Sequence, residues 1–194
     1  MKPARTRLAP SPTGRFHLAN ARNALYSYLV ARQTGGQFIL RIEDTDQKRF
    51  VEGAEEVIVK SLEWLGIAPD ESPFHGGKFG PYRQTERRDI YHRHAWQLAE
   101  KGNAFPCFCT PERLDQMRKE QESRKVDRVR YDGMCRLLSP DDAARRAKSG
   151  ERYVIRFKMP YEGSTVAHEH IRGDIVTENK YLDYSILLNS DGLP

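Results

Sequence analysis

Arg7-Leu-Ala-Pro-Ser-Pro-Thr-Gly14, then Arg15-Phe-His-Leu-Ala-Asn20, then an amphipathic run, then Gly35-Gly-Gln-Phe-Ile-Leu-Arg-Ile-Glu-Asp-Thr-Asp46: this stretch decides the fold. Thr6 to Ala9 is a short strand candidate. It ends where Pro10 and Pro12 remove the amide donors that regular pairing needs. Ser11, Thr13 and Gly14 make a small-residue loop with spare hydroxyls and an unhindered backbone. From His17 the apolar spacing becomes helical. Leu18, Ala21, Leu25, Tyr28 and Leu29 fall on the face expected to be buried, with Asn20, Arg22, Asn23 and Ser27 mostly opposite. Gly35-Gly36 stops that helix. Phe38 to Ile42 is a second apolar strand, and it runs straight into the carboxylates Glu43, Asp44 and Asp46. Strand, loop, helix, strand is a βαβ unit with a parallel pair.

The strand carboxyl ends of such a sheet form its active edge. The Pro10–Gly14 loop, the helix start at His17 and the Glu43–Asp46 turn all fall there. A helix N-terminus attracts anions through its free N–H groups and its dipole, so a phosphate is expected near His17. A carboxylate such as Glu43 suits an ammonium group.

Three segments together, Arg7-x-Ala-Pro-Ser-Pro-Thr-Gly14, His17-Leu-Ala-Asn20-Ala-Arg22 and Arg41-Ile-Glu-Asp-Thr-Asp46, resemble the N-terminus of the glutamyl-tRNA synthetases. Gly80-Pro-Tyr-Arg-Gln-Thr-Glu-Arg87 is similar to that family's PYRQSER segment. The resemblance implies an α/β fold: the first half of a Rossmann-type class I synthetase catalytic domain with a parallel sheet, plus an inserted α+β subdomain that binds the tRNA acceptor stem. His17 to Asn20 matches the family's HIGH tetrad in its histidine and spacing, and departs from it at Ala19, where the family has glycine. By resemblance, His17 and Asn20 are the catalytic pair at the helix start, contacting ATP phosphate or ribose. Pro10, Thr13 and Gly14 join them in binding ATP with its Mg2+. Arg7 is expected to hold a glutamate carboxylate, which a bidentate guanidinium suits. Ala9 and Ser11 line the amino-acid pocket, and Glu43 takes the α-ammonium.

The domains expected are residues 1–102 as the catalytic half, 103–190 as the insertion, and 191–194 as the start of the return to the catalytic domain. The family's KMSKS motif does not occur, and no anticodon-binding domain follows. The expectation is therefore a truncated portion that does not charge tRNA alone. Three other readings compete. A glutamyl-queuosine tRNA(Asp) synthetase shares the fold, but the long charged segment between Cys109 and Tyr131 resembles the protein-synthesis enzymes more. A glutaminyl enzyme is disfavoured by Ala9-Pro-Ser-Pro-Thr-Gly14. A non-catalytic tRNA- or nucleotide-binding module leads if the gene ends at Pro194.

Outside the core stretch, Ala54, Ile58, Ser61, Leu62 and Leu65 mark a helix closed by Gly66. Thr85 is placed to cap the next helix, whose buried face is Tyr91, Ala95, Leu98 and Ala99. Phe105 to Cys109 reads as a short strand. Thr110-Pro111 and Ser139-Pro140 start helices, each with a capping hydroxyl and a proline in the first turn. Tyr153, Ile155, Phe157 and Met159 alternate with Val154, Arg156 and Lys158, the pattern of a half-buried strand. Residues 164–170 and 180–189 supply further strands.

The chain holds 194 residues, with 32 Lys and Arg against 27 Asp and Glu, a net charge of +5 that is compatible with a polyanionic partner. With no long apolar run and no signal-like start, neither a membrane span nor secretion is expected; a cytoplasmic monomer is. Three cysteines do not make a disulfide scaffold. Cys107-x-Cys109 and Tyr131-x-x-x-Cys135 resemble a zinc pattern of this family and its glutamyl-queuosine relatives, in which tyrosine takes the fourth place. Three thiolates and a phenolate leave no open position, so such a zinc is structural. The other reading is three reduced cysteines without metal. His92-x-His94 and His168-x-His170 read as surface histidines.

Overall fold

The computed structural model describes residues 2–194, which separate into two compact units that divide between Arg88 and Asp89. The first unit is built on β1 (Arg5–Leu8), α1 (Leu18–Gln33), β2 (Gln37–Leu40) and α2 (Ala54–Trp64). β1 and β2 pair in parallel, from Arg5 opposite Gln37 to Leu8 opposite Leu40. On the other side of β2, Leu40 N–H donates to Glu71 O and Ile42 N–H to Tyr82 O, both at 2.9 Å. Two-sided pairing of β2 explains why its Phe38 and Leu40, with Ile42 just beyond, are fully buried.

The two helix ends of this unit follow one chemistry. Gly36 N–H donates to Ala31 O and Gly35 N–H to Arg32 O, closing α1. Gly66 and Ile67 close α2 on Glu63 and Leu62 in the same way. These are paired 6→1 and 5→2 bonds around a left-handed residue, with φ of 66° at Gly35 and 69° at Gly66. Gly36 is required for a second reason: a Cβ there would lie 1.9 Å from Ala4 O.

The burial of α1 differs from the expected face. Ala24 and Ala31 are buried, while Leu18, Leu25 and Leu29 are exposed. Small residues let the helix backbone come close to the strands, and Thr6 Oγ1 donates to Ser27 O at 2.7 Å across that contact. The core gathers Leu8, Phe38, Leu40, Ile42, Ile58 and Leu62, with Tyr28 edge-on to Phe38 at 5.9 Å.

The second unit holds α3 (Arg88–Glu100, save its first residue), β3 (Ala104–Cys107), α4 (Pro111–Ser123), α5 (Pro140–Lys148), β4 (Val154–Phe157), β5 (Ser164–Glu169), β6 (Gly173–Glu178) and β7 (Ile186–Leu188). β3, β4 and β7 form an antiparallel sheet in that order, and β5 with β6 forms a separate hairpin. Pro106 is tolerated because β3 lies at the sheet edge. Thr110 Oγ1 accepts from Arg113 N–H at 3.3 Å and Ser139 Oγ from Asp142 N–H at 3.1 Å, so both expected caps form.

Several expectations change here. The compact units divide at Arg88, because α3 packs Ala95 against Ala104, Ile155 and Leu188 of the second unit. Residues 191–194 stay with that unit too, where Leu193 is buried and its carbonyl accepts from Asn189 N–H at 2.7 Å. Residues 180–189 hold a 3-10 turn (Asn179–Tyr181) before the short β7, while β6 went unforeseen. Strand β4 does not alternate: a register shift against β7 at Ile155/Arg156 buries both residues in succession.

Glu71 anchors the first unit. Its buried carboxylate accepts two bonds from the Arg5 guanidinium, each at 2.9 Å, and one from Tyr82 Oη. The Arg5 bonds hold its carboxyl below the usual carboxylate range. A lowered folded pKa gives stability that is full above that range and is lost as pH falls through it. Glu71→Ala is expected to cost about 3 kcal/mol at neutral pH, because it strands Arg5 and Tyr82, and much less in acid. Urea denaturation at both pH values checks this.

Candidate functional site

Pairing continues past the ends of β1 and β2. Arg41 N–H donates to Leu8 O at 3.0 Å, and Glu43 N–H to Pro10 O at 2.9 Å. Proline lacks a donor but keeps its acceptor, so Pro10 ends the strand and still ties the loop to the carboxylate turn. Val51 N–H reaches Pro12 O at 3.0 Å and holds the other end of the loop.

These bonds bring Arg7 and Glu43 together. Arg7 Nη2 lies 3.7 Å from Glu43 Oε1, and Arg41 Nη2 donates to the same oxygen at 3.2 Å. Both Arg7 and Glu43 keep solvent access, with side chains 45% and 33% exposed. Arg41 Nε is buried and has no hydrogen-bond partner among the described residues. The cluster therefore carries two positive charges and one negative at an accessible edge, with donor capacity to spare.

The other expected residues border this edge. Pro10 is buried, Ala9 and Thr13 half-buried, and Ser11 and Gly14 exposed. His17 is the exposed N-cap of α1 and its side chain makes no capping bond; its carbonyl accepts the N–H of Asn20 at 2.9 Å and of Ala21 at 3.2 Å. The first turn holds no acidic residue, so no carboxylate of the helix itself competes for the N-terminal amides. The half-buried Asn20 and the exposed His17 make no side-chain hydrogen bond among the described residues. Among the described residues, no side-chain hydrogen bond or ion pair joins either of them to the Arg7–Glu43 pair.

Two residues here went unassigned in the sequence. Arg41 was visible only as a neighbour of Glu43. Asp44 is buried and accepts from Thr85 N–H at 2.9 Å and Thr85 Oγ1 at 2.5 Å. Thr85 thus gives its hydroxyl to Asp44 instead of capping a helix, and the carboxylate turn is fastened to the Gly80–Arg87 segment.

The second unit contains a separate donor cluster. The Sγ atoms of Cys107, Cys109 and Cys135 all lie within 4.8 Å of one another, with Cys109 and Cys135 at 3.6 Å. Tyr131 Oη stands 3.3 Å from Cys107 Sγ and 3.4 Å from Cys109 Sγ. A tetrahedral zinc with bonds of about 2.3 Å to sulfur and 2.0 Å to oxygen spaces its ligands by about 3.8 Å (S to S) and 3.5 Å (S to O). All four expected residues thus converge with spacings that fit such a metal. Leu137, two residues past Cys135, is 83% exposed.

Backbone supports the cluster. Phe108 N–H donates to Cys135 Sγ at 3.4 Å, and Cys135 N–H to Tyr131 Oη at 2.9 Å. Gly133, at φ 75°, turns the chain into the 3-10 turn Met134–Leu137 that carries Cys135; a Cβ there would meet Tyr161 Oη at 2.9 Å. Without metal, the hydrogen bond from Cys135 pulls the Cys107 thiol well below its ordinary range, and the same bond raises Cys135. Burial raises the Tyr131 phenol. The proton held between the thiols is what a metal displaces.

A family model described as tRNA synthetases class I (E and Q), catalytic domain, matches residues 3–194. A glutamate–tRNA ligase of Pseudomonas aeruginosa (strain UCBPP-PA14) is 52% identical over 194 residues, covering 100% of this chain and 39% of that protein. One from Clostridium botulinum (strain Hall) is 52% identical over 190 residues, covering 98% and 39%. The crystal structure of a glutamate tRNA ligase from Elizabethkingia meningosepticum, in complex with its amino acid, is similar at a TM-score of 0.88 and 46% identity, over 100% of this chain and 40% of that one. The chain spans about two fifths of the length of these relatives. Among the described residues, no helix is long and apolar enough to cross a membrane.

Proposed function

The chain belongs to the class I tRNA synthetases (E and Q), as their catalytic domain, and on that premise we propose that it is the amino-acid- and ATP-binding portion of a glutamate–tRNA ligase. The observation that carries the reading is the charge cluster of Arg7, Arg41 and Glu43. Its formal charge is +1. Glutamate has two carboxylates and one ammonium, net −1, so it complements the cluster in sign and in number. Arg7 takes the side-chain carboxylate, Glu43 takes the α-ammonium, and the spare donors of Arg41 strengthen the field on the anion. Ala9 and Ser11 line the pocket.

The reaction has two steps. An oxygen of the glutamate α-carboxylate attacks the α-phosphorus of ATP; a P–O bond forms and pyrophosphate leaves. The terminal ribose hydroxyl of tRNA then attacks the activated carbonyl, forming the ester and releasing AMP. Catalysis of this kind is positioning and charge stabilisation. His17 and Asn20, at an α1 start with no acidic residue, meet phosphate or ribose. Pro10, Thr13 and Gly14 shape the loop over ATP, which arrives as its Mg2+ complex.

Residues 103–190 serve as the acceptor-end insertion. Support comes from a cleft of about 430 Å³ whose lining includes Arg128, Arg130, Lys180, Tyr161 and Tyr181, the cationic and aromatic mix that suits RNA. Cys107, Cys109, Tyr131 and Cys135 would hold a zinc ion that ties β3 to the turn around Cys135; with four protein ligands its role is structural. A monomer in the cytoplasm completes the reading, in keeping with three reduced thiols grouped as ligands.

Two outcomes are expected. Arg7→Ala, made in the gene product that carries this chain, lowers glutamate transfer to tRNA at least about a hundredfold and leaves the urea midpoint unchanged, because Arg7 is half-exposed and among the described residues its guanidinium pairs with Glu43 alone, at 3.7 Å. Unaltered transfer kinetics contradict the assignment. Metal analysis after gentle purification finds close to one zinc per chain, and Cys109→Ser lowers that ratio sharply; a wild-type ratio near zero removes the zinc.

A further inference from the structure

We propose that Arg156 is the buried counter-charge of the Cys107–Cys109–Tyr131–Cys135 metal centre and a positioning residue for Tyr131. The inference rests on the zinc reading above. Divalent zinc with three thiolates is a net anion whether or not the phenol gives up its proton. This one would lie in an apolar cluster that includes Phe105, Phe108, Met117 and Tyr184. An anion buried there is strongly unfavourable without a nearby cation.

Two other arginines near the centre are already paired with carboxylates, and a third, Arg136, is half-buried and donates to Met159 O and Tyr184 Oη. Arg113 is bound to Asp132 and Arg146 to Glu151. Arg156 differs from all three. It is 8% exposed, and no carboxylate among the described residues lies within ion-pair distance of it. Its Nη1 donates to Tyr184 O at 3.0 Å, and its Nε is buried with no hydrogen-bond partner. The guanidinium carbon stands 4.5 Å over the centroid of the Tyr131 ring. A buried guanidinium and a buried metal anion each carry a desolvation cost, and each offsets the other's.

The backbone shows how the residue arrives there. Strict alternation along β4 turns Arg156 away from the side that holds Ile155. The register shift between Ile155 and Arg156 against β7 buries both. Bulges of this kind re-aim a side chain at functional sites. Stacking on Tyr131 also restrains the ring whose Oη sits between Cys107 and Cys109, the outer support that metal ligands commonly receive.

The test compares wild type, Arg156→Met and Arg156→Lys. Each is stripped of metal and titrated with Zn2+ against a chromogenic chelator, and each metal-free form is unfolded in urea. Arg156→Met is expected to bind zinc roughly 10- to 100-fold more weakly. In the metal-free state its urea midpoint changes little, since only the single Cys107 thiolate then faces the guanidinium. Arg156→Lys keeps the charge and binds closer to wild type than to the methionine variant. If Arg156 merely packs, Arg156→Met lowers metal-free stability and leaves the zinc dissociation constant unchanged, which overturns the inference alone. A lysine variant as weak as the methionine one also overturns it. A wild type that takes up no zinc overturns the zinc reading itself, and the inference with it.

Discussion

Parallel pairing of β1 with β2 is the constraint on which the first unit depends. Parallel neighbours need a crossover, and α1 supplies it, so the strand ends and the helix start fall on one edge. The ladder then runs on from Leu8 to Pro10 on one strand and from Arg41 to Glu43 on the other. Arg7 and Glu43 meet because their backbones are zipped together, not because their side chains seek each other across a loop. An ion pair at 3.7 Å between half-exposed groups is weak, which suits the proposed role of two residues that exchange one another for a ligand. Rigidity comes from elsewhere: Asp44 on Thr85, and Glu71 on Arg5 and Tyr82.

The second unit solves a different problem. Its sheet has three short strands, and the segment from Arg124 to Arg130 is largely exposed. The convergence of Cys107 and Cys109 from the end of β3 with Tyr131 and Cys135 from a distant turn would, with the proposed metal, cross-link that unit. A metal bound by folded but not by unfolded chain adds its binding energy to folding. Arg156 belongs to the same proposed arrangement, since the ring that it covers carries the proposed oxygen ligand.

Much of this was legible in the residues because the signals were local. Proline and glycine punctuate β1, α1 and β2; Thr110-Pro111 and Ser139-Pro140 open helices as their side chains dictate. What was illegible is long-range. The buried face of α1 is set by how closely its backbone approaches the sheet, so Ala24 and Ala31 are buried and Leu25 is not. The inward turn of Arg156 follows from a bulge that needs β7 as its partner. Asp44 resembles its neighbours in composition, and only Thr85, far along the chain, marks it as structural. The place of α3 with the second unit is decided by Ala104, Ile155 and Leu188, all later in the chain. The four metal-ligand candidates were read from spacing and resemblance; that their donors converge is a fact of packing.

The most direct test of the account is tRNA charging by the gene product that carries this chain, read to its stop codon. Labelled glutamate, ATP and separate purified tRNA species are supplied, and the labelled product is identified. The account predicts glutamate esterified to the terminal ribose of tRNA for glutamate. Glutamate found only on tRNA for aspartate, or on no tRNA at all, contradicts it.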